Sequence, residues 1–245
     1  MMNIINVENL STTFGENIVH KNISFGVKKG EIFGVLGGSG SGKTVLLKQI
    51  VMLDNIQEGR IELLGKDISN IDLKESQELK QEFSYLFQFG ALYSFLNVIE
   101  NISVMLKEYT DLPNDLIEKI AYTNLEIVGL SKSCALLYPS QLSGGMKKKV
   151  ALARSLAMQP KILFLDEPTS GLDPVSTQNI NELILNLRDM LDLTIVIITH
   201  DLETIKTVLD RFIILKQKIA FDGNITEALN SNDEFIKDFL TNKGK

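Results

Sequence analysis

The sequence predicts an α/β protein with an antiparallel β patch at its N-terminus and a helical insertion near residues 89–158. Near-continuous apolar runs at residues 162–165 and 194–198 are typical of parallel strands that are buried on both faces. Two short β-rich segments, residues 4–10 and 18–25, flank a turn at Gly15 and predict the antiparallel patch. Helical patterns dominate from residue 89 to residue 158, so the insertion separates the two strand-rich parts of the chain.

The remaining elements follow from the same patterns. Further strands are predicted at residues 31–36, 59–64, 83–87, 211–215 and 218–221, and helices at residues 44–53, 73–80, 98–107, 115–128 and 145–158. Ile180, Leu183, Ile184, Leu187 and Leu191 form one apolar helix stripe. Two short helices end the chain. Because no repeat or linker interrupts the pattern, we predict one domain, residues 1–245, with residues 89–158 as a helical subdomain.

Composition limits the possible functions. The chain has 245 residues, of which 44% are hydrophobic and 23% charged, values that exclude a disordered or collagen-like protein. Its net charge of −6 disfavours nucleic acid as a partner. The single cysteine, Cys134, excludes an internal disulfide and a cysteine-based metal cluster.

The sequence predicts neither a membrane span nor a secretory signal. Its longest apolar runs are strand-length, far short of the roughly 18 residues that a membrane helix needs. The first ten residues, MMNIINVENL, have no basic start. A role at a membrane would therefore require another protein to hold this chain there.

A phosphate-binding loop is the strongest motif. The segment GGSGSGKT satisfies the pattern G-x-x-x-x-G-K-[ST], and a predicted strand precedes it while a predicted helix follows. Glycine backbone N–H groups can converge on phosphate oxygens, the lysine supplies a charge, and the threonine hydroxyl suits Mg²⁺. This context disfavours the alternative of a simple flexible glycine turn. The predicted nucleotide-binding residues are Gly37, Gly38, Ser39, Gly40, Ser41, Gly42, Lys43 and Thr44.

Two acidic residues end the apolar strand at residues 162–165. Carboxylates at the carboxyl end of a strand lie where α/β folds bind ligands. Asp166 suits Mg²⁺, a hard cation that prefers oxygen ligands, and Glu167 suits the orientation and polarisation of an attacking water. Alone, such a pair is more often a solvated strand end, but the phosphate-binding loop favours the catalytic interpretation.

Five further motifs resemble those of ATP-binding cassette (ABC) ATPases, in the order that this superfamily has them. These are Phe14, Gln88 after a strand, LSGGM at residues 142–146, SGLD at residues 170–173, and Thr199-His200-Asp201 after a strand. The resemblance covers essentially the whole chain and implies a P-loop NTPase fold of the ABC type.

The resemblance also assigns roles, with ATP and Mg²⁺ as cofactors. Lys43, Gln88, Glu167 and His200 become catalytic residues, and Thr44, Gln88 and Asp166 become the metal-binding residues. Phe14 is expected to stack on adenine, with an exposed or a core aromatic residue as the competing interpretation.

ABC ATPases work as head-to-tail dimers, so the resemblance implies a second copy of this chain as partner. Ser143, Gly144 and Gly145 of one copy would then cap the γ-phosphate held by the other copy. Met146 stands where the signature motif usually has glutamine. We expect the phosphate contact to survive, because it comes from a hydroxyl, backbone N–H groups and a helix N-terminus.

Within the superfamily, the chain resembles the ATPases of Mla-type (maintenance of lipid asymmetry) phospholipid transporters. The residues that carry this likeness are FQFGAL at 87–92 with Asn97-Val98, and the methionine of LSGGM. The likeness implies an integral membrane permease as partner, with a lipid-binding periplasmic subunit and a small cytoplasmic accessory protein as further candidates. It places the chain peripherally on the cytoplasmic face of the inner membrane.

Two surface segments have competing interpretations. The apolar residues of 89–105 are expected to receive a coupling helix of the permease, or to form the core of the helical subdomain, or both. Lys147, Lys148 and Lys149 predict a solvated helix face, with docking near anionic lipid headgroups as the weaker alternative. Because the chain ends at Lys245, soon after residues 238–240, we expect no long C-terminal tail that grips a neighbouring subunit.

The sequence thus predicts an ATPase that drives phospholipid transport through a separate permease. Transport of another solute, such as an amino acid, is the alternative within this class. An ABC-type module that acts on DNA or ribosomes is the alternative from another class, disfavoured by the single cassette, the negative charge and the lack of a coiled-coil pattern.

Overall fold

The computed structural model describes residues 2–241. Its strands are β1 (Asn3–Phe14), β2 (Asn17–Lys28), β3 (Ile32–Leu36), β4 (Glu58–Leu63), β5 (Lys66–Asp67), β6 (Phe83–Leu86), β7 (Ile162–Asp166), β8 (Thr194–Ile198), β9 (Arg211–Lys216) and β10 (Lys218–Gly223). Its helices are α1 (Lys43–Ile50), α2 (Leu73–Lys80), α3 (Val98–Tyr109), α4 (Asn114–Ile127), α5 (Gly144–Leu156), α6 (Pro174–Leu191), α7 (Leu202–Thr207), α8 (Ile225–Leu229) and α9 (Glu234–Thr241). The expectation about the C-terminal tail falls beyond residue 241, outside the described residues.

The described chain divides into two compact units. The first unit comprises residues 2–80 and 194–241, and the second unit comprises residues 81–193. In residues 2–241, no helix combines the length and the apolar character that crossing a membrane requires.

The first unit contains an antiparallel sheet of order β2-β1-β4-β5, which is the expected N-terminal patch. β1 pairs with β2 and β4, and its inward side chains, among them Ile5, Val7 and Leu10, are buried. Alternation of buried and exposed side chains fits a sheet with one face on a core and one face towards solvent.

The first unit also contains strands in the order β10-β9-β3-β8. β3 lies between β8 and β9 and runs parallel to both, and every side chain of β3 and β8 is buried. The carboxylate of Asp210 accepts the backbone N–H of Ile32 at 2.8 Å, and Arg211 pairs with the buried Glu31 at 2.9 Å. These bonds fix the start of β3, so the position of its carboxyl end is fixed as well.

The second unit packs helices around two parallel strands, β6 and β7. Asn97 and Glu100 form a capping box at the start of α3, and Asp173 caps α6 ahead of Pro174. Helices α3, α4 and α5 contact one another, and each of them has buried aliphatic residues, such as Ile102, Leu125 and Val150. This packing gives α5 a fixed place beside β6.

The architecture confirms the predicted fold class, an α/β protein with an antiparallel β-subdomain. The apolar stripe on α6 is buried at Ile180, Ile184 and Leu187 and half-buried at Leu183, but the prediction is wrong at Leu191, which is exposed where the helix ends. The extent of the single domain and of its helical subdomain stays a prediction.

Candidate nucleotide-binding and hydrolysis site

The phosphate-binding loop connects β3 to α1 in the first unit. The ammonium of Lys43 donates hydrogen bonds to the carbonyl oxygens of Gly37, at 2.8 Å, and Gly38, at 2.9 Å. No acidic residue lies in the first turn of α1, whose N-terminus carries the positive end of the helix dipole. A lysine, backbone N–H groups and a helix N-terminus together suit an anionic ligand.

Gly37, Gly40 and Gly42 have positive φ angles that a side chain would strain, and at two of them a Cβ would also collide with neighbouring atoms. Gly37 and Gly42 have φ angles of +153° and +94°, and Gly42 serves as the N-cap of α1. A Cβ at Gly37 would lie 2.5 Å from the carbonyl oxygen of Leu215, and one at Gly42 would lie 2.6 Å from the His20 ring. The tight path of the loop therefore depends on glycine at both positions.

The polar groups and the exposure of the loop fit a phosphate ligand. The Ser41 hydroxyl is buried and has no hydrogen-bond partner within residues 2–241. Ser39, Gly40 and Thr44 are exposed at the surface of the loop. A buried hydroxyl and an exposed run of small residues are what close approach of a phosphate group requires.

A buried histidine, which the sequence analysis missed, anchors this loop. The Nε2–H of His20 lies 3.1 Å from the carbonyl oxygen of Gly42, and Nδ1 lies 3.0 Å from the hydroxyl of Thr12. The Gln49 amide nitrogen donates to the Thr12 hydroxyl at 3.1 Å, so His20, Thr12 and Gln49 form one buried hydrogen-bond network. Burial lowers the pKa of His20, and its hydrogen bond to Gly42 only partly offsets this.

His200 lies at the same sheet edge as the loop. β3 and β8 run parallel, with Val35 opposite Ile198, so the segments that follow both strands emerge at the same end. Thr199 is buried and accepts the N–H of Asp201 at 3.0 Å, whereas His200 is exposed. Phe14 ends β1 and is 50% exposed, which excludes the core interpretation and leaves the ring accessible.

The second unit holds the acidic residues. β6 and β7 run parallel, with Leu86 opposite Leu165, so both strands end at one edge. Asp166 is the last residue of β7, and Gln88 and Glu167 follow β6 and β7 at this edge. The Gln88 amide donates to the hydroxyl of Ser170 at 3.4 Å. The structure thus brings together, within this unit, the predicted glutamine, the two acids and the segment SGLD.

Tyr85 orients Asp166. Its phenol donates a hydrogen bond of 2.9 Å to Asp166 Oδ2. Burial above all, and then the adjacent Asp166 carboxylate, raises the pKa of Tyr85 far above its ordinary value. The phenol therefore stays protonated and keeps donating, which holds the carboxylate in one orientation.

Glu167 has an unusual backbone conformation. Its φ angle is +48°, in the left-handed region that a residue with a side chain seldom adopts, and the residue is buried. Its carbonyl oxygen accepts the N–H of Ser170 at 3.1 Å and the ammonium of Lys148 at 3.1 Å. Strain of this kind is typical of functional sites, where the surroundings hold the backbone in place.

Lys148 corrects one expectation from the sequence. The solvated helix face predicted for residues 147–149 holds for Lys147 and Lys149, which are partly exposed, but not for Lys148, which is only 7% exposed. Burial lowers the pKa of Lys148, and the carboxylates of Glu167 and Asp166 act in the opposite direction.

The signature motif lies at the start of α5. The Ser143 hydroxyl accepts the N–H of Met146 at 3.3 Å and so caps the helix, while Ser143 and Gly144 are exposed. A Cβ at Gly144 would touch Leu172, and one at Gly145 would lie 3.7 Å from the Ser176 hydroxyl. The signature glycines therefore lie against the segment SGLD and the first turn of α6.

The predicted magnesium-binding residues supply hard oxygen ligands: the Thr44 hydroxyl, the Gln88 amide oxygen and the Asp166 carboxylate. Nowhere in residues 2–241 do three or more histidine, cysteine or acidic side chains cluster as a metal site would need. Thr44 lies in the first unit, whereas Gln88 and Asp166 lie in the second. Each offers an oxygen of the kind that Mg²⁺ prefers.

Three functional candidates escaped the sequence analysis: His20, Tyr85 and Lys148. Each lies in a strand or helix at a position that the pattern assigns to packing or to solvent. The only sequence feature that could have indicated a role for His20 is its place as a polar residue at an inward position of a strand. Tyr85 and Lys148 gave no signal, because their partners are distant in sequence.

Comparison with known proteins identifies the relatives of this chain. Residues 20–170 match the family model described as ABC transporter. The chain is 38% identical to the intermembrane phospholipid transport system ATP-binding protein MlaF of Haemophilus influenzae, over 97% of this chain and 90% of that protein. It is 36% identical to the methionine import ATP-binding protein MetN of Campylobacter jejuni, over 97% of this chain and 75% of that protein.

Among solved structures, the chain is similar to the dimeric ATP-binding cassette MJ0796 in a post-hydrolysis state bound to ADP and Pi. The TM-score is 0.80 at 29% identity, and the alignment covers 90% of this chain and 98% of the other.

Proposed function

The chain belongs to the ABC transporter family and is an ATP-binding ATPase, and we propose that two copies close around ATP to drive phospholipid transport by a separate permease. One observation carries this proposal. The phosphate-binding loop occurs together with an exposed signature serine at a helix N-terminus, and each offers part of what a γ-phosphate needs. The dimeric state of the similar cassette MJ0796 supports the pairing.

Nucleotide binding is assigned to the first unit. We propose that backbone N–H groups of residues 37–42 and the Lys43 ammonium hold the phosphates, and that Phe14 stacks on adenine. The Thr44 hydroxyl, Gln88 and Asp166 would hold Mg²⁺. When bound, that ion neutralises charge on the phosphate oxygens. In this role Tyr85 orients Asp166 through its 2.9 Å hydrogen bond.

Hydrolysis is assigned to Glu167, Gln88 and His200. Glu167 would orient the attacking water and accept its proton, with Gln88 helping to place that water. The exposed His200 would donate a hydrogen bond to the γ-phosphate and so stabilise the charge that develops on it.

The signature residues complete the site of the other copy. Ser143, Gly144 and Gly145 present a hydroxyl and backbone donors at the N-terminus of α5, and we assign them to the γ-phosphate that the second copy holds. Two such contacts arise from one twofold axis, so a dimer would contain two equivalent sites. Met146 contributes its backbone N–H to the cap, which does not require a glutamine side chain.

A surface beside Gln88 suits a permease. Phe89 is 86% exposed and Phe95 is 73% exposed, an apolar pair that water disfavours unless a partner covers it. The Arg154 guanidinium donates to the carbonyl oxygens of Gly90, at 2.6 Å, and Ala91, at 2.8 Å, so the segment that presents these rings is held in place. We propose that a coupling helix of an integral membrane permease binds here, at the cytoplasmic face of the inner membrane.

Phospholipid is the proposed substrate because MlaF is similar over nearly the full length of both chains. MetN is almost as similar, so methionine or another amino acid is the competing solute. A lipid-binding periplasmic subunit and a small cytoplasmic accessory protein are proposed as further components of the phospholipid system.

Purification of the tagged chain from detergent-solubilised membranes tests the proposal. We expect an integral membrane protein to co-purify, and the ATPase activity of that complex to rise when phospholipid vesicles are added. Stimulation by methionine, with none by phospholipid, would replace the substrate. A replacement of Phe89 by serine should abolish co-purification, whereas the same replacement at Leu136, which is also exposed, serves as the matched control.

A further inference from the structure

Lys148 is a buried cation in the middle of a run of three lysines. Its side chain is 7% exposed, whereas Lys147 and Lys149 remain partly exposed on the same helix, α5. An ammonium loses its hydration when it is buried, and the loss is costly unless strong hydrogen bonds replace the water. The partners of Lys148 therefore show what this cation is for.

The ammonium of Lys148 donates to two backbone carbonyl oxygens. One belongs to Gln88, and the other belongs to Glu167 at 3.1 Å. Gln88 follows β6 and Glu167 follows β7, so one side chain joins the turns that leave two adjacent strands. A hydrogen bond from an ionised donor is about twice as strong as a neutral one.

The Glu167 turn needs such support. Its left-handed backbone, with φ of +48°, is a conformation that persists only where the surroundings impose it. Besides Lys148, the N–H of Ser170 binds the same carbonyl oxygen. Removal of the ammonium would leave the Glu167 carbonyl with one fewer donor and the Gln88 carbonyl without this partner.

Space filling alone does not explain a lysine at this position. A methionine has nearly the same length and would fill the same volume without the cost of burying a charge. What methionine lacks is the ability to donate to both carbonyl oxygens. The need to hold the two turns therefore explains why a lysine stands here, whereas the packing of α5 does not.

We infer that Lys148 is a positioning residue that holds the Gln88 and Glu167 turns in the geometry that ATP hydrolysis requires. The inference rests on the proposed catalytic roles of Glu167 and Gln88. Lys148 acts through the backbones of these two residues, since its ammonium donates to both of their carbonyl oxygens.

Steady-state ATP hydrolysis by Lys148→Met, Lys148→Arg and wild-type chains tests the inference. Because misplacement of a catalytic group by about 1 Å can cost about 10²-fold in rate, we expect Lys148→Met to lower kcat about 10²-fold. KM for ATP should change by less than about threefold, since the phosphate-binding loop is unaltered. Lys148→Arg should recover at least about a third of wild-type kcat, because a guanidinium can also donate to two carbonyl oxygens.

Lys147→Met and Lys149→Met are the matched controls, and both should hydrolyse ATP within about twofold of wild type. A loss of kcat below about tenfold in Lys148→Met would overturn the inference, as would an equal loss in Lys148→Arg. If Lys148→Met does not fold, Lys148→Leu, which likewise has no donor, takes its place under the same tenfold criterion. Glu167→Gln separates the two proposals: if it hydrolyses ATP normally, the role of Glu167 fails first, whereas if it is inactive and Lys148→Met is active, only the role of Lys148 fails.

Discussion

The two compact units treat charge in opposite ways. In the first unit, the phosphate-binding loop combines Lys43 with backbone donors and has no acidic residue in the first turn of α1. In the second unit, Asp166 and Glu167 lie among donors, with Tyr85 on the first carboxylate and Lys148 on the backbone of the second. The phosphate-binding loop suits an anionic ligand. The two carboxylates of the second unit suit a metal cation and a proton taken from water.

The difference separates binding from turnover. The phosphate-binding loop of the first unit should govern how tightly ATP is held, and Glu167 with its supporting residues in the second unit should govern how fast ATP is cleaved. Variants of the loop and of the Glu167 region therefore ought to differ in which kinetic constant they change.

Glu167→Gln should have the largest effect on turnover. Loss of a general base typically costs about 10²- to 10⁴-fold, so we expect kcat to fall by that factor. ATP binding, measured by equilibrium dialysis, should remain near wild type because the amide keeps the shape of the side chain. Glu182→Gln, at an exposed position of α6, is the control. Hydrolysis near the wild-type rate would remove Glu167 from the catalytic role.

Lys43→Ala tests the other half of the comparison. Removal of a cation aimed at phosphate typically costs about 10²- to 10³-fold, and we expect a loss of that size in kcat/KM for ATP. Unlike Glu167→Gln, this variant should also fail in the equilibrium binding assay. Lys48→Ala, at an exposed position of the same helix, is the matched control. Tight ATP binding by Lys43→Ala would contradict the assigned role of the loop.

Tyr85→Phe should have a smaller effect, which is confined to the affinity for Mg²⁺. Loss of a residue that orients a metal ligand typically lowers metal affinity about 10- to 100-fold. We expect the Mg²⁺ concentration for half-maximal ATPase activity to rise by at least about tenfold, with kcat at saturating Mg²⁺ changed less. Tyr109→Phe, an exposed site on α3, is the control. An unchanged Mg²⁺ requirement would show that Tyr85 does not orient Asp166 for the metal.

His20→Gln should have the smallest effect, on the pH dependence of stability. The pKa of His20 is lowered below its ordinary value of 6.5, so the unfolded state binds more protons as the pH falls below 6.5. The wild-type free energy of unfolding should therefore decline more steeply below pH 6.5 than that of His20→Gln, as urea titrations would measure. Lys21→Arg, at an exposed position of the same strand, is the control and should follow the wild-type curve. Parallel curves for wild type and His20→Gln would contradict the prediction.

Local patterns predicted most of the fold. Apolar runs identified β3, β7 and β8, because strands buried on both faces need apolar residues throughout. The glycine-rich loop was identified because its backbone permits few other residues, as Gly37 and Gly42 show. The helical periodicity predicted a buried Leu191, but this residue is exposed because α6 ends there.

The sequence by itself determined the chemistry on offer: a phosphate-binding loop, two acids after a strand, and an ordered set of motifs that identifies an ABC ATPase. Only the tertiary structure decided which polar residues support that chemistry. It separated Lys148 from its two neighbours and joined Tyr85 to Asp166 and His20 to Gly42. The reason is physical. Residues within each motif are close together in the chain, so a local pattern reveals them. Each supporting hydrogen bond joins residues that are far apart in sequence, and only folding brings those residues together.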